Sequence, residues 1–302
     1  MDFGKLPSVD NIDFTLPPDP EHNRELLRNF SSATPPRIYI GATGYNMKAW
    51  VGTWYAPGTR ERDFLQQYGL QFNTIEHNTT HYRIPDTATV DRWKADTPED
   101  FRFCPKIPQT ISHARDLGLS SGQIPLFCEV IAGLDKKLGC CFLQLPPHFS
   151  VREVHLLERF LESFPASIPL AVEVRHPSFF QVSDAAEDYF SLLQKRNVST
   201  VITDVAGRRD VCHMRLTDLR VLVRFVGNAL HPSDRQRVEQ WAKRIGEWCS
   251  EGLQEVYFFT HEPDNLLAPE LAAICADAFS KQLPPAIIRG PAKVSGRQGT
   301  LF

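Results

Sequence analysis

Residues 139–174, GCCFLQLPPHFSVREVHLLERFLESFPASIPLAVEV, hold two short apolar runs with one amphipathic segment between them. Each run has the length and composition of a strand covered on both faces, as strands of parallel sheets are. Between the runs, Val154, Leu157, Leu161 and Phe164 fall on one face of a helix spanning residues 153–164. A strand, a covering helix and a second strand make the unit that joins parallel neighbours.

The same alternation extends in both directions from this unit. The runs RIYIGATG, FNTIEHN, FRFCPKI, GCCFLQL, LAVEV, STVITDV, RVLVRFV and EVYFFTH are the expected strands, eight in all. A second helix is expected over 234–250, where Val238, Trp241, Ala242, Ile245 and Cys249 share a face. Eight strand–helix units close naturally as a (β/α)8 barrel with a parallel sheet, and a doubly wound open sheet is the architectural alternative. The unit between strands six and seven is irregular, because AGRRDVCHMRLTDL is too short and broken for a full helix. The boundaries read as an N-terminal extension over 1–36 packing on the barrel, a barrel domain over 37–283 and a flexible tail over 284–302. The extension holds one short helix, EHNRELLRNF.

With 302 residues, 42% hydrophobic and 23% charged, the chain can bury a large core. A net charge of −3 gives no general attraction to nucleic acid or to an anionic membrane. The seven cysteines are odd in number and lack C-x-x-C spacing, so they read as buried thiols of a reducing compartment. There is no apolar leader and no apolar run of membrane-spanning length, which places the chain in the cytoplasm with no membrane partner.

In such a barrel the carboxyl ends of the strands form the reactive face. Those ends carry Glu76 and Asn78, Lys106, Gln144, Glu173 and Arg175, Asp204, Arg224, and His261 with Glu262. Strand alternation turns Glu173 and Arg175 to one side, into the barrel, and His176 to the other. By the same alternation His77 faces a helix. Charges of both signs in a cleft are either an ion-pair plug or a ligand site. Lys106, Arg175 and Arg224 suit a small anionic substrate, a phosphate or carboxylate, with Glu173 or Glu76 as general base and Asp204 and His261 in support. A divalent metal on Glu76, Glu173, Asp204 and His261 is the competing arrangement, although three cations would repel it. Tyr45, Trp50, Trp54, Tyr55 and Tyr82 follow strands one and two, where they either stack on a substrate or pack a loop. His81 and His113 lie in loops that can reach the mouth.

The stretches YIGATGYNMKAWVGTWYAPGT, FNTIEHNTTHYRIP, FRFCPKIPQTISH, LGCCFLQLPPHFS and LAVEVRHPSFF, in this order and spacing, resemble the domain-of-unknown-function 72 family, the YecE-like proteins. The resemblance runs from about residue 37 to residue 265 and implies a TIM barrel; it implies no reaction. The family's pattern points to Glu76, Asn78, Tyr82, Lys106, His113, Gln144, Pro146, Glu173, Arg175, His176, Asp204 and Arg224. The chain departs from it at RFVGN, which lacks the histidine of an R-L-H-G run, and at FFTHEPDN, which lacks paired asparagines; His261 is placed to replace the lost histidine. The family's barrels are similar in fold to endonuclease IV and xylose isomerase, which adds metal-assisted phosphodiester hydrolysis as an alternative.

The chain ends in GPAKVSGRQGTLF. Gln298, Leu301 and Phe302 resemble the Q-x-x-L-F peptide that docks on the DNA sliding clamp, the alternative being an ordinary tail. Three functions follow: an enzyme, hydrolase or isomerase, on an anionic metabolite; a clamp-docked nucleic-acid enzyme; and a non-catalytic binding module.

Overall fold

All eight apolar runs form strands: β1 (Arg37–Ala42), β2 (Thr74–His77), β3 (Arg102–Pro105), β4 (Cys141–Gln144), β5 (Leu170–Glu173), β6 (Ser199–Asp204), β7 (Arg220–Val226) and β8 (Glu255–His261). The computed structural model describes residues 3–28, 34–283, 286 and 288–294. The strands follow the order β3-β2-β1-β8-β7-β6-β5-β4, and every pairing between them is parallel. β3 and β4 meet through two isolated parallel bridges, Phe103–Leu138 and Lys106–Phe142. The sheet thus curls into a TIM (β/α)8 barrel whose thinnest seam lies between β3 and β4, a feature the sequence did not signal.

The helices are α1 (Glu21–Arg28), α2 (Phe64–Gln71), α3 (Thr79–Tyr82), α4 (Thr87–Ala95), α5 (Gln109–Ser112), α6 (Gln123–Ala132), α7 (Val154–Ser163), α8 (Asp184–Lys195), α9 (Pro232–Glu251) and α10 (Ala268–Gln282). Between β6 and β7 the described chain has only the 3-10 turn Arg209–Val211, so the expected irregularity is real. The N-terminal extension covers this gap. Asn23 of α1 donates to Met214 O at 2.8 Å and accepts from Leu216 N–H at 2.9 Å. Leu16 and Leu27 join the buried cluster that contains Cys212, Met214, Trp241 and Trp248.

Alternation along the strands sorts the side chains into an outer and an inner set. Outward residues such as Ile38, Ile40, Val221 and Val223 pack beneath the helices, and burying each such side chain contributes about 1.5–3 kcal/mol. Inside the barrel, Tyr39, Cys104, Phe142, Ala171, Val201, Leu222, Tyr257 and Phe259 form a buried, mainly apolar middle layer. That layer seals the barrel, so polar residues above it face the carboxyl-terminal mouth. The cysteines are free thiols, six of them buried. No described helix is long and apolar enough to cross a membrane.

Residues 288–294 lie against the barrel: Arg289 donates to Phe72 O at 2.6 Å, Ala292 N–H to Gln71 Oε1 at 2.8 Å and Val294 N–H to Thr53 O at 2.8 Å. These bonds tie part of the segment 284–302, expected as a tail, to the barrel. Gln298, Leu301 and Phe302 lie outside the described residues.

Candidate active site

Directly above the middle layer, β2 through β8 turn Glu76, Lys106, Gln144, Glu173, Thr203, Arg224 and His261 inward. Arg224 is the hub. Its Nε and Nη2 donate to Glu76 at 2.9 and 3.1 Å, and its Nη1 donates to both oxygens of Glu173 at 3.0 and 2.8 Å. Arg175 Nε donates to Glu173 Oε1 at 3.0 Å, and Thr203 Oγ1 reaches the same oxygen at 3.3 Å. Gln144 bridges the next gap, donating to Glu173 at 2.7 Å and accepting from Lys106 Nζ at 2.9 Å. At the other end His261 Nε2 lies 2.8 Å from Glu76 Oε2, while Asn78 donates to Glu76 Oε1 at 3.0 Å. One hydrogen-bonded row therefore crosses the mouth from Lys106 to His261.

The electrostatics assign different jobs along this row. Burial raises the Glu173 carboxyl, but Arg175 and Arg224 outweigh it and hold the group at about 2. Burial likewise opposes ionisation of Glu76, and Arg224 with His261 still keeps it well below the ordinary carboxylate value. Both glutamates are thus ionised and engaged near neutral pH, which makes them poor proton acceptors. Burial lowers Lys106 to about 8, with the Arg224 charge adding to the effect. Burial also lowers His261 despite the adjacent Glu76, so its imidazole is neutral at pH 7. With Nε2 tied to Glu76, Nδ1 is the ring nitrogen left for chemistry.

Several expected residues lie elsewhere. Asp204 is on the outer face of β6, because Thr203 takes the inward position. It is fully buried there, 3.0 Å from Arg237, bonded to Arg209 and accepting from Trp241 Nε1 at 2.8 Å. Its expected place at the mouth is therefore corrected. His176 caps the 3-10 turn Pro177–Phe180, accepting from Ser178 N–H, and does not join the row. Tyr82 is exposed on α3, and His113 lies beside His81 with ring centroids 5.5 Å apart. His77 faces outward against Trp93, as alternation requires, with centroids 4.2 Å apart. Trp50, Trp54 and Tyr55 are buried, Trp50 stacking on Tyr68, so these rings pack their loop. Among the described residues no three or more His, Cys, Asp or Glu side chains are gathered as metal ligands. Arg224 lies between Glu76 and Glu173, and Asp204 is on the far side of β6, which separates the four residues read as a divalent-metal set.

Two groups escaped the sequence. Arg237 is a fully buried cation on α9, and Asp234 shares the face that Val238 and Trp241 mark; a charged pair on an apolar helical stripe was the available signal. The other group is the start of the chain. Phe3 lies over the Arg175 guanidinium at 4.2 Å, and Gly4 O accepts from Gly207 N–H at 2.8 Å.

Comparison with known proteins agrees with this architecture. The E. coli K12 protein YecE, described as a UPF0759 protein, is 33% identical over 265 residues, covering 82% of this chain and 94% of that protein. Bacillus subtilis YunF, also a UPF0759 protein, is 28% identical over 155 residues, 47% of this chain and 52% of its own. A DUF72 family protein from Enterococcus faecalis V583 superimposes with TM-score 0.64 at 22% identity, over 81% of this chain and 98% of that one. One from Thermotoga maritima MSB8 gives TM-score 0.57 at 24% identity, over 82% and 99%. The family described as protein of unknown function DUF72 matches residues 39–292, and the chain belongs to that family.

Proposed function

We propose that the protein is an enzyme acting on a phosphorylated or otherwise anionic polar substrate at the carboxyl-terminal barrel face. The observation that carries this reading is the composition of the row. Among the described residues the row holds two carboxylates, Glu76 and Glu173, and three cations, Arg175, Arg224 and Lys106, and the Lys106 ammonium is hydrogen-bonded to the neutral amide of Gln144 rather than to a carboxylate. A buried ammonium held by a neutral amide stabilises a bound anion, because little solvent competes for it. Proton transfer falls to the neutral His261, backed by the Glu76 carboxylate as an imidazole base is backed in other enzymes. Glu173, expected with Glu76 as the candidate general base, is read here as the group that fixes Arg175, Arg224 and Gln144. Hydrolysis and isomerisation both use these parts.

Thermal-shift titration with phosphate monoesters, inorganic pyrophosphate and dicarboxylates tests the reading. Stabilisation by at least one anion class is expected, and Lys106→Met should raise its Kd at least about tenfold, equivalent to about 1.4 kcal/mol. An unchanged Kd in Lys106→Met, or indifference to every anion, defeats it. Binding without turnover of any tested ester would leave a ligand-binding module. The clamp-docked alternative depends on residues outside those described, and a sliding-clamp pull-down lost on Phe302→Ala is its test.

A further inference from the structure

We infer that residues 3–13 form a hinged arm that closes the mouth and, when closed, makes one wall of the substrate chamber. The inference rests on the reading of the mouth as the substrate site. Residues 3–10 run across the loops that follow β6, β7 and β8. Together with Val205, Val226, Gly227, Asn228, His231, His261 and Glu262 they enclose a cavity of about 380 Å³. His261 belongs both to this cavity and to the charged row, so the two adjoin at its imidazole.

The attachment of the segment is lopsided. None of residues 3–13 is buried, whereas Phe14 and Leu16 are. Phe14 is held under Arg237 at 4.6 Å and Arg209 at 5.2 Å, and Leu16 N–H donates to Gln240 at 3.1 Å. Asp19 then pairs with Arg244 at 2.7 Å and accepts from Trp248 at 3.0 Å. Beyond this root, the hydrogen bonds and ion pairs that tie residues 3–13 to the rest of the described chain are the Gly4–Gly207 bond and the Asp10–His231 pair at 3.4 Å. Phe3 adds its cation–π contacts with Arg175 and Arg208. Such contacts are small beside the backbone entropy lost in ordering the whole segment. The arm is therefore the part of the site most easily opened, and the root at Phe14 is its hinge.

The closed position is nonetheless specific. Gly4 has φ +68°, and a Cβ there would meet Val205 side-chain carbons at 2.8 and 2.9 Å; a Cβ on Gly207 would meet Gly4 O at 2.8 Å. Two glycines in distant segments thus let backbone touch backbone as a latch. A substrate anion reaching Arg175 must displace the Phe3 ring from its guanidinium.

The latch can be locked. A Cβ at position 4 lies 3.5 Å from Val205 Cβ, within the disulfide range of roughly 3.5–4.5 Å; replacing the valine removes the crowding, and because cysteine at φ +68° is strained, the cross-linked peptide is first verified by mass spectrometry. In the full-length Gly4→Cys/Val205→Cys protein, oxidation should slow phenylglyoxal modification of Arg175, followed by peptide mass spectrometry, at least about tenfold. Reduction should restore the rate. Inorganic pyrophosphate affinity should fall and recover in step. Phe3→Ala, which needs no disulfide, should quicken the same modification about threefold or more. Equal Arg175 rates in the oxidised and reduced forms, or no change in Phe3→Ala, overturn the arm. A redox-dependent Arg175 rate with no pyrophosphate binding in either form keeps the arm and defeats the anion reading instead.

Discussion

Replacing Arg224 by methionine is expected to lower the unfolding free energy by about 3–5 kcal/mol at pH 7, measured by urea denaturation. The reason is what the substitution leaves behind. Glu76 and Glu173 have side chains 0% and 2% exposed, and both lose the guanidinium that offsets their desolvation. The pH dependence identifies the mechanism. In the native protein Glu173 titrates at about 2 and Glu76 well below its ordinary value; in the unfolded chain both titrate at about 4.3. Their ionised forms therefore add stability above the unfolded value, and that contribution disappears as pH falls through the folded values. In Arg224→Met burial dominates, most of all at Glu76, so the folded carboxyl takes up a proton more readily and the deficit should shrink as pH falls from 7 towards 4. A deficit that stays constant over this range would mean that lost packing, not unpaired charge, is the cause. Adding Glu76→Gln and Glu173→Gln should recover part of the loss. By the same logic Glu173→Gln alone also weakens the fold, so its effect on turnover has meaning only after stability is measured.

The barrel was legible because each strand run is bounded by turns and followed by an amphipathic helix, a pattern set by local burial. The candidate row was legible in part for the same reason. Alternation along β5 correctly turned Glu173 and Arg175 inward and His176 away, and along β2 it put Glu76 inside and His77 under α4. On β6 the inward set is fixed by Val201, which lines the barrel, so alternation makes Thr203 the inward residue and turns Asp204, the last polar residue of the strand, outward. What sequence could not supply was distance between elements. That Arg224 would engage two glutamates at once, leaving them unsuited to accept protons, depends on β2, β5 and β7 pointing at one spot. The arm was illegible for another reason: residues 3–13 have no periodicity, and their latch joins two glycine backbones about two hundred residues apart.

Asp204→Ala should cost about 3–4 kcal/mol of stability yet leave the anion affinity of the folded protein within about twofold. Burial by itself would raise this carboxyl, but Arg237 and Arg209 keep it below its ordinary value. Its charge therefore stabilises the fold above the unfolded aspartate pKa of about 3.9, and the contribution is lost as pH falls through the lower folded value. Removing it strips Arg237 of one carboxylate and leaves Asp234, 3.0 Å away, as its remaining ion pair. It also leaves Trp241 Nε1–H without its acceptor beneath α9. None of these partners is bonded to the row across the mouth, so a collapse of anion binding in folded Asp204→Ala would return Asp204 to the site. One coupling remains. Arg237 and Arg209 are the cations on which Phe14 rests, so loosening them loosens the hinge of the arm. Phenylglyoxal should then reach Arg175 faster in Asp204→Ala than in the native protein, although Asp204 touches neither Arg175 nor Phe3. If that rate is unchanged while stability falls as expected, the root of the arm is held by Leu16 and Asp19, and the hinge lies after Phe14.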